Sequence, residues 1–259
     1  MSAYVRTEIT PLASVTLTAD QMPASLPDAY DRVKAVIAKD AGYCAAWKVG
    51  GSTPPAQKAM GIDEIFFAPM HEKEIVAADK LVPGFKTLSI NAEGEVALRI
   101  SQKAAPYLAK GKDAVASAPL TDLFDVWCVS AEMPSGALTN GGDFGVPAIV
   151  SDRCGSGCLV LGPEHAYTAD TKWNGEVMKT EQNGTVIAEG TTLDLIGPAD
   201  EVAREFICVA LKYGFSPKAG QWISTGGIIP CKALEENADI NIYYDGKVEL
   251  SFKTGYDAA

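Results

Sequence analysis

Ile90-Asn91-Ala92-Glu93-Gly94-Glu95-Val96-Ala97-Leu98-Arg99-Ile100 is the stretch around which this chain is organised. Val96, Leu98 and Ile100 alternate with Glu95, Ala97 and Arg99, the period of two expected for a strand with one buried face. Carried backwards, the alternation puts Glu93 on the face of Glu95. Two carboxylates side by side repel each other unless something positive lies between them. Two hard oxygen donors on one rigid strand suit a divalent cation, most simply Mg²⁺ or Mn²⁺. The plainer reading is a solvated strand edge with two acids, and a third ligand elsewhere decides between the two.

A chain of 259 residues can bury a full core, as one large domain or as one domain with a smaller appendage. Its hydrophobic fraction of 47% and charged fraction of 21% are ordinary for a soluble globular protein. Thirty-three acids against 22 lysines and arginines give a net charge of −11. That balance argues against nucleic acid or an anionic membrane as partner, since both require a basic footprint. The six cysteines form no C-x-x-C pair and read as small core residues in a reducing compartment. No window approaches 18 uncharged apolar residues, and M-S-A-Y-V-R-T-E-I-T-P-L lacks the apolar run of a signal peptide. The expectation is a soluble, cytoplasmic protein. The two histidines, His71 and His165, leave little room for zinc sites or hydrolytic triads and read as surface or loop residues.

In chain order, Leu26 to Asp40 reads as a helix, with Ser25 or Asp28 as cap and Pro27 in the first turn. A short strand around Trp47 follows, then a loop from Ser52 to Asp63 with the makings of a lid, and a strand from Ile65 to Met70. Asp122 to Val129 reads as a buried strand ending at Ala131-Glu132. A Gly-rich loop leads to an expected strand near Ala148 to Ser151, and Cys158 to Gly162 is another. Asn183-Gly184 and Asp245-Gly246 each mark a hairpin turn. Between them, Pro198 to Gly214 is the clearest helix, with Asp200 as its expected cap. The division is a helical N-terminal part with the lid over residues 1–80 and a mainly β body over 81–259, within one domain or two.

Three further residues carry chemistry. Lys48, between Trp47 and Val49 and before Gly50-Gly51, sits in surroundings too apolar for an ordinary surface lysine. Burial lowers a lysine pKa and a neighbouring carboxylate raises it again. It suits a substrate carboxylate or proton transfer, or simply snorkels from a strand end. Glu132 closes a buried strand and needs a partner there. Thr225 stands at the end of a strand running into Gly226-Gly227.

Taken in order, these pieces resemble the hydratase–decarboxylase branch of the fumarylacetoacetate hydrolase superfamily, typified by 2-keto-4-pentenoate hydratases. The resemblance runs from D-A-Y at 28–30 through W-K-V-G at 47–50, A-Q-K-A-M-G-I-D-E at 56–64 and E-G-E at 93–95. It resumes at A-E at 131–132, V-S-D-R-C-G-S-G-C-L-V-L-G at 150–162 and A-E-G-T-T-L-D-L-I-G at 188–197. It closes with L-K-Y-G-F-S-P-K-A-G-Q-W-I-S-T-G-G at 211–227. The resemblance implies an α+β fold, a rolled mixed β-sheet of the superfamily's C-terminal-domain type with a helical N-terminal part. It implies Mg²⁺ or Mn²⁺ held by Glu93, Glu95 and Glu132, with catalytic Lys48 and substrate-binding Thr225 nearby. It also implies a small 2-oxo acid substrate, as met in aromatic-compound catabolism, a reaction through an enolate, and a homo-oligomer.

Three departures accompany it. D-E-I-F-F places Phe66 where relatives carry an acid, E-M-P-S-G-A at 132–137 replaces E-I-V-D-S-R, and D-R-C-G-S-G brings in Arg153 as a possible substitute anchor for a substrate carboxylate. The expected function is a metal-dependent lyase, by hydration or decarboxylation. A C–C hydrolase of acylpyruvate or fumarylpyruvate type and a metal-binding homologue without this activity are the alternatives.

Overall fold

The computed structural model describes residues 3–9, 13–40, 42–78, 81–84 and 90–256. Two mixed β-sheets carry the chain, and the larger is curled as the rolled-sheet expectation requires. Its strands lie in the order Phe66–His71, Tyr43–Gly50, Trp222–Ser224, Asn91–Ile100, Phe124–Met133, Cys158–Leu161 and Ile75–Ala77. Ile229–Ala233 also pairs with Asn91–Ile100, and His165–Ala166 with Phe124–Met133, which makes nine strands. Strands from before and after residue 80 therefore share one sheet. The second sheet has five strands, ordered Thr185–Thr191, Val177–Gln182, Asp239–Tyr244, Lys247–Tyr256 and Leu81–Gly84.

Asn91–Ile100 is the central strand, antiparallel to Trp222–Ser224 on one side and to Phe124–Met133 on the other. The period of two then sorts side chains between faces. Trp47 and Phe67 turn towards the helix Ala199–Lys212 and meet Phe206 at ring-centroid distances of 5.4 and 5.3 Å. Full burial of aromatic side chains of this kind stabilises by about 1.5–3 kcal/mol each. Lys48 and Phe66, one residue away from each, turn to the opposite face and line a cavity.

Two local expectations are corrected. Residues 146–151 form a helix, Val146–Ser151, and not a strand: Gly145 at φ 72° breaks the extended chain, and Pro147 sits in the first turn, where its missing N–H is harmless. Asp200 does not cap the long helix, whose N-cap is Pro198. It lies buried one position inside the first turn and accepts the Tyr167 hydroxyl at 2.7 Å. At the other helix, Ser25 is the cap, accepting from the Asp28 N–H. The lid region folds as the helix Pro54–Met60, capped by Thr53 and ended by Gly61. Both hairpin turns form where expected, with Asn183-Gly184 and Asp245-Gly246 at positive φ. Among the described residues no helix is long and apolar enough to cross a membrane.

Candidate metal centre

The register of three strands assembles the site. Glu93 pairs directly with Glu132, and Glu95 with Ser130, across the antiparallel pair. Directly opposed residues share a face, so all four side chains converge. Ala97, next on that face, pairs with Ser224, which pairs in turn with Lys48 on the parallel neighbour. Lys48 is thereby carried across the sheet to the acids, and its Nζ lies 2.8 Å from Glu132 Oε1.

Oxygen atoms of Glu93, Glu95 and Glu132 lie within 4.8 Å of one another. Glu95 and Glu132 are buried and Glu93 half-buried. Glu95 accepts hydrogen bonds from the Ser224 hydroxyl and, at 2.9 Å, from the Gly226 N–H. Burial, reinforced by the charges of Glu93 and Glu132, still drives its pKa well above the ordinary carboxylate value. Burial also pushes Glu132 up, to about 7, with Lys48 opposing and Glu93 reinforcing. At Lys48 burial works against the charge, but Glu132 and Glu93 outweigh it and its pKa stands above that of a free lysine. One ammonium thus faces three carboxylates, a local deficit of positive charge.

That donor set fits a hard divalent cation: three carboxylates converging on one point, with no soft ligand among them. The Ser130 hydroxyl, on the same face, is buried with no hydrogen-bond partner among the described residues. Two glycines make the space. Gly226 at φ 98° aims its N–H at Glu95, and a Cβ there would fall 1.8 Å from Ser52 Oγ. A Cβ on Gly227 would come within 2.8 Å of Glu93 Oε2.

The site opens into a cavity of about 580 Å³ lined by Lys48 and Glu93, by Phe66, Cys154 and Cys231, and by the lid helix through Pro55, Ala56 and Met60. Phe66 stacks so closely over Gly50 that a Cβ there would lie 2.5 Å from its ring. A cavity of about 620 Å³ behind Trp47, lined by Lys34, Asp40 and Lys218, touches none of the three acids.

Two expected site residues are placed elsewhere. Thr225 is buried and outside the cavity lining, its hydroxyl donating to the Val96 carbonyl at 2.8 Å. Arg153 is fully buried, gripping both oxygens of Glu74 at 2.9 Å and the carbonyls of Glu8 and Ile9 at 2.9 and 3.1 Å. Its guanidinium also lies over the Tyr43 ring. Both terminal nitrogens are taken up by Glu74 and the N-terminal carbonyls, the Nε is buried without a partner among the described residues, and Arg153 lines no part of the cavity, so it is not placed to anchor a substrate carboxylate there. His71 is buried rather than at the surface, against Asp40, while His165 stacks on Trp127 beside Glu249; neither lines the cavity. Sequence reasoning missed Ser224 and Gly226, although the alternation that puts Trp222 and Ser224 on one face was there to read. It also missed the two cavity cysteines.

No protein-family model matches the chain. Among solved structures it superposes on 4-oxalocrotonate decarboxylase from Pseudomonas putida G7, complexed with magnesium and adipate, at a TM-score of 0.76. That match covers 96% of this chain and 92% of the other at 18% identity, and the complex of the same enzyme with calcium and acetate also gives 0.76, at 16% identity. Fumarylpyruvate hydrolase from Pseudomonas aeruginosa, in complex with Mn²⁺ and pyruvate, matches at 0.59 and 14% identity, over 82% of this chain and 89% of that one. These are proteins of the fumarylacetoacetate hydrolase superfamily, and the fold of this chain is theirs.

Proposed function

We propose that this chain is a metal-dependent lyase that acts on a small 2-oxo acid through its enolate. The observation that carries the reading is the meeting of three carboxylates and one lysine at the floor of a cavity large enough for a small molecule. Glu93, Glu95 and Glu132 would hold Mg²⁺ or Mn²⁺, which supplies Lewis acidity towards the oxygens of a 2-oxo acid when bound. The complexes of the superposed enzymes with magnesium, calcium and Mn²⁺ support a divalent metal as the cofactor.

Lys48 is the chain's own acid–base group. It reaches the cavity, and Glu132 behind it keeps it protonated, ready to give a proton to a substrate atom and recover it later. The same charge steadies a substrate carboxylate. The Gly226 N–H and Ser224 hydroxyl fix the rotamer of Glu95, and Phe66 and the lid helix keep one wall apolar.

Addition of water to the enolised acid is the first reaction proposed. Decarboxylation through the same enolate is the second, favoured by the likeness to 4-oxalocrotonate decarboxylase and by Phe66, which supplies no water-activating acid. We place the enzyme in the cytoplasm as a homo-oligomer, in keeping with the family resemblance. With Mg²⁺ and 2-hydroxypentadienoate, the diene absorbance should disappear, and Glu95→Gln and Lys48→Met should each abolish the loss. Turnover that survives both substitutions, or absence of turnover in the unaltered protein, refutes the proposal.

A further inference from the structure

We infer that the substrate carries a single carboxylate, with an uncharged and largely apolar chain beyond its 2-oxo acid end. This rests on the proposed function and concerns the part of the cavity distant from the acids. Lys48 is the only cation lining that cavity among the described residues, and Glu132 already engages it. Arg153, whose neighbour Cys154 lines the wall, has its guanidinium turned away and consumed by Glu74. Much of the remaining wall is apolar, through Met60, Phe66, Ile149 and Ile228, with Ser52 and Thr53 as neutral polar side chains.

The other charges on the lining have the wrong sign for a second anion. Glu189 and Asp194 are exposed side chains of the lining, so they stand on its solvent side, and both are carboxylates. A dianionic 2-oxo acid would carry its distal carboxylate out of water into a largely apolar wall where, among the described residues, no lining cation but the engaged Lys48 could receive it. At the rim Asp194 opposes it, and Glu189 already holds Lys179 at 3.5 Å. An unpaired carboxylate in such surroundings is unfavourable, and a site that offers it no partner discriminates strongly against it. A monoanion with an alkyl or alkenyl tail meets the metal site and Lys48 with its polar end and the wall with the rest. The reaction follows from the substrate. Decarboxylation that ends in the enolate of a 2-oxo acid expels a second carboxylate as CO₂ and therefore starts from a dianion, so the cavity favours water addition.

Three ligands separate the possibilities by isothermal titration into the Mg²⁺-loaded protein at low ionic strength: pyruvate, 2-oxohexanoate and 2-oxoadipate. The last two have the same chain length and differ in the distal carboxylate. Pyruvate should bind only with Mg²⁺ present, and 2-oxohexanoate should bind at least about tenfold more tightly than 2-oxoadipate, a difference of about 1.4 kcal/mol. Equal or tighter binding of 2-oxoadipate, with pyruvate still bound, overturns the single-carboxylate inference alone. Failure of all three to bind overturns the 2-oxo acid reading and the inference with it.

Discussion

Glu93 and Glu132 face each other as direct cross-strand partners, one half-buried and one buried, at a position where like charges normally destabilise a sheet. Glu95, two residues along from Glu93, adds a third carboxylate, and Lys48 meets only Glu132. The fold tolerates a charge deficit at its centre that a bound cation relieves.

The opposition of Glu93 and Glu132 separates stability from binding. Glu93→Gln removes one repelling charge, so the metal-free protein should gain about 1 kcal/mol, or some 2–4 °C in melting temperature. The same substitution should weaken Mn²⁺ binding by on the order of 10–100-fold or more, since loss of even an outer-shell partner of a metal ligand costs that much. Differential scanning calorimetry with and without Mn²⁺ reads both effects, and a variant that is destabilised when metal-free contradicts the account.

Proton linkage gives a second test. Glu132, raised to about 7, and Glu95, raised well above the ordinary value of 4.5, bind more protons folded than unfolded between pH 4.5 and 7. Their contribution therefore stabilises the metal-free protein as pH falls from 8 to 5, the reverse of a paired carboxylate. Metal must displace those protons, so Mn²⁺ affinity should fall over the same interval. Titrations at pH 6, 7 and 8 in buffers of different ionisation enthalpy count the protons released; release of none contradicts the assignment.

Gly227→Ala should weaken metal binding with no change of charge. The new methyl group would fall 2.8 Å from Glu93 Oε2, the movable end of a side chain, and 3.1 Å from the Ile229 carbonyl oxygen, so the carboxylate is displaced while the backbone gives by a few tenths of an ångström. A near-native melting temperature with a several-fold higher Mn²⁺ dissociation constant is expected.

Arg153 is expected to act on stability alone. Arg153→Met leaves the Glu74 carboxylate buried without its ion-pair partner, held only by the His71 N–H and the Ser156 hydroxyl, a loss of about 3–5 kcal/mol by urea unfolding. Pyruvate affinity of the folded fraction should stay within about twofold of the parent. A selective loss of pyruvate binding would restore Arg153 as a substrate anchor.

Much of this site was legible because strands have a simple period. Glu93 and Glu95 announce themselves on one strand, and Glu132 ends the strand expected to be buried. What the sequence could not show was register, the pairing that sets Glu132 against Glu93 and carries Lys48 across Ser224 to reach it. Arg153 misled for a related reason: an arginine between glycine-rich turns looks free until its distant partner Glu74 is seen, 79 positions away. Thr225 owed its expected role to the family resemblance, but the next residue, Gly226, makes the contact to Glu95 through a backbone N–H that no side-chain pattern encodes. The helix at Val146–Ser151 was lost because six apolar and small residues carry too little periodicity to distinguish helix from strand.

Glu93, Glu95 and Glu132 should act as one cation site, which titration of Mn²⁺ into the unaltered chain and into Glu95→Gln reads without any substrate. One strong site per chain is expected in the former and its loss in the latter, with both proteins folded. Equal Mn²⁺ affinity in the two proteins, or no strong site in either, would contradict it.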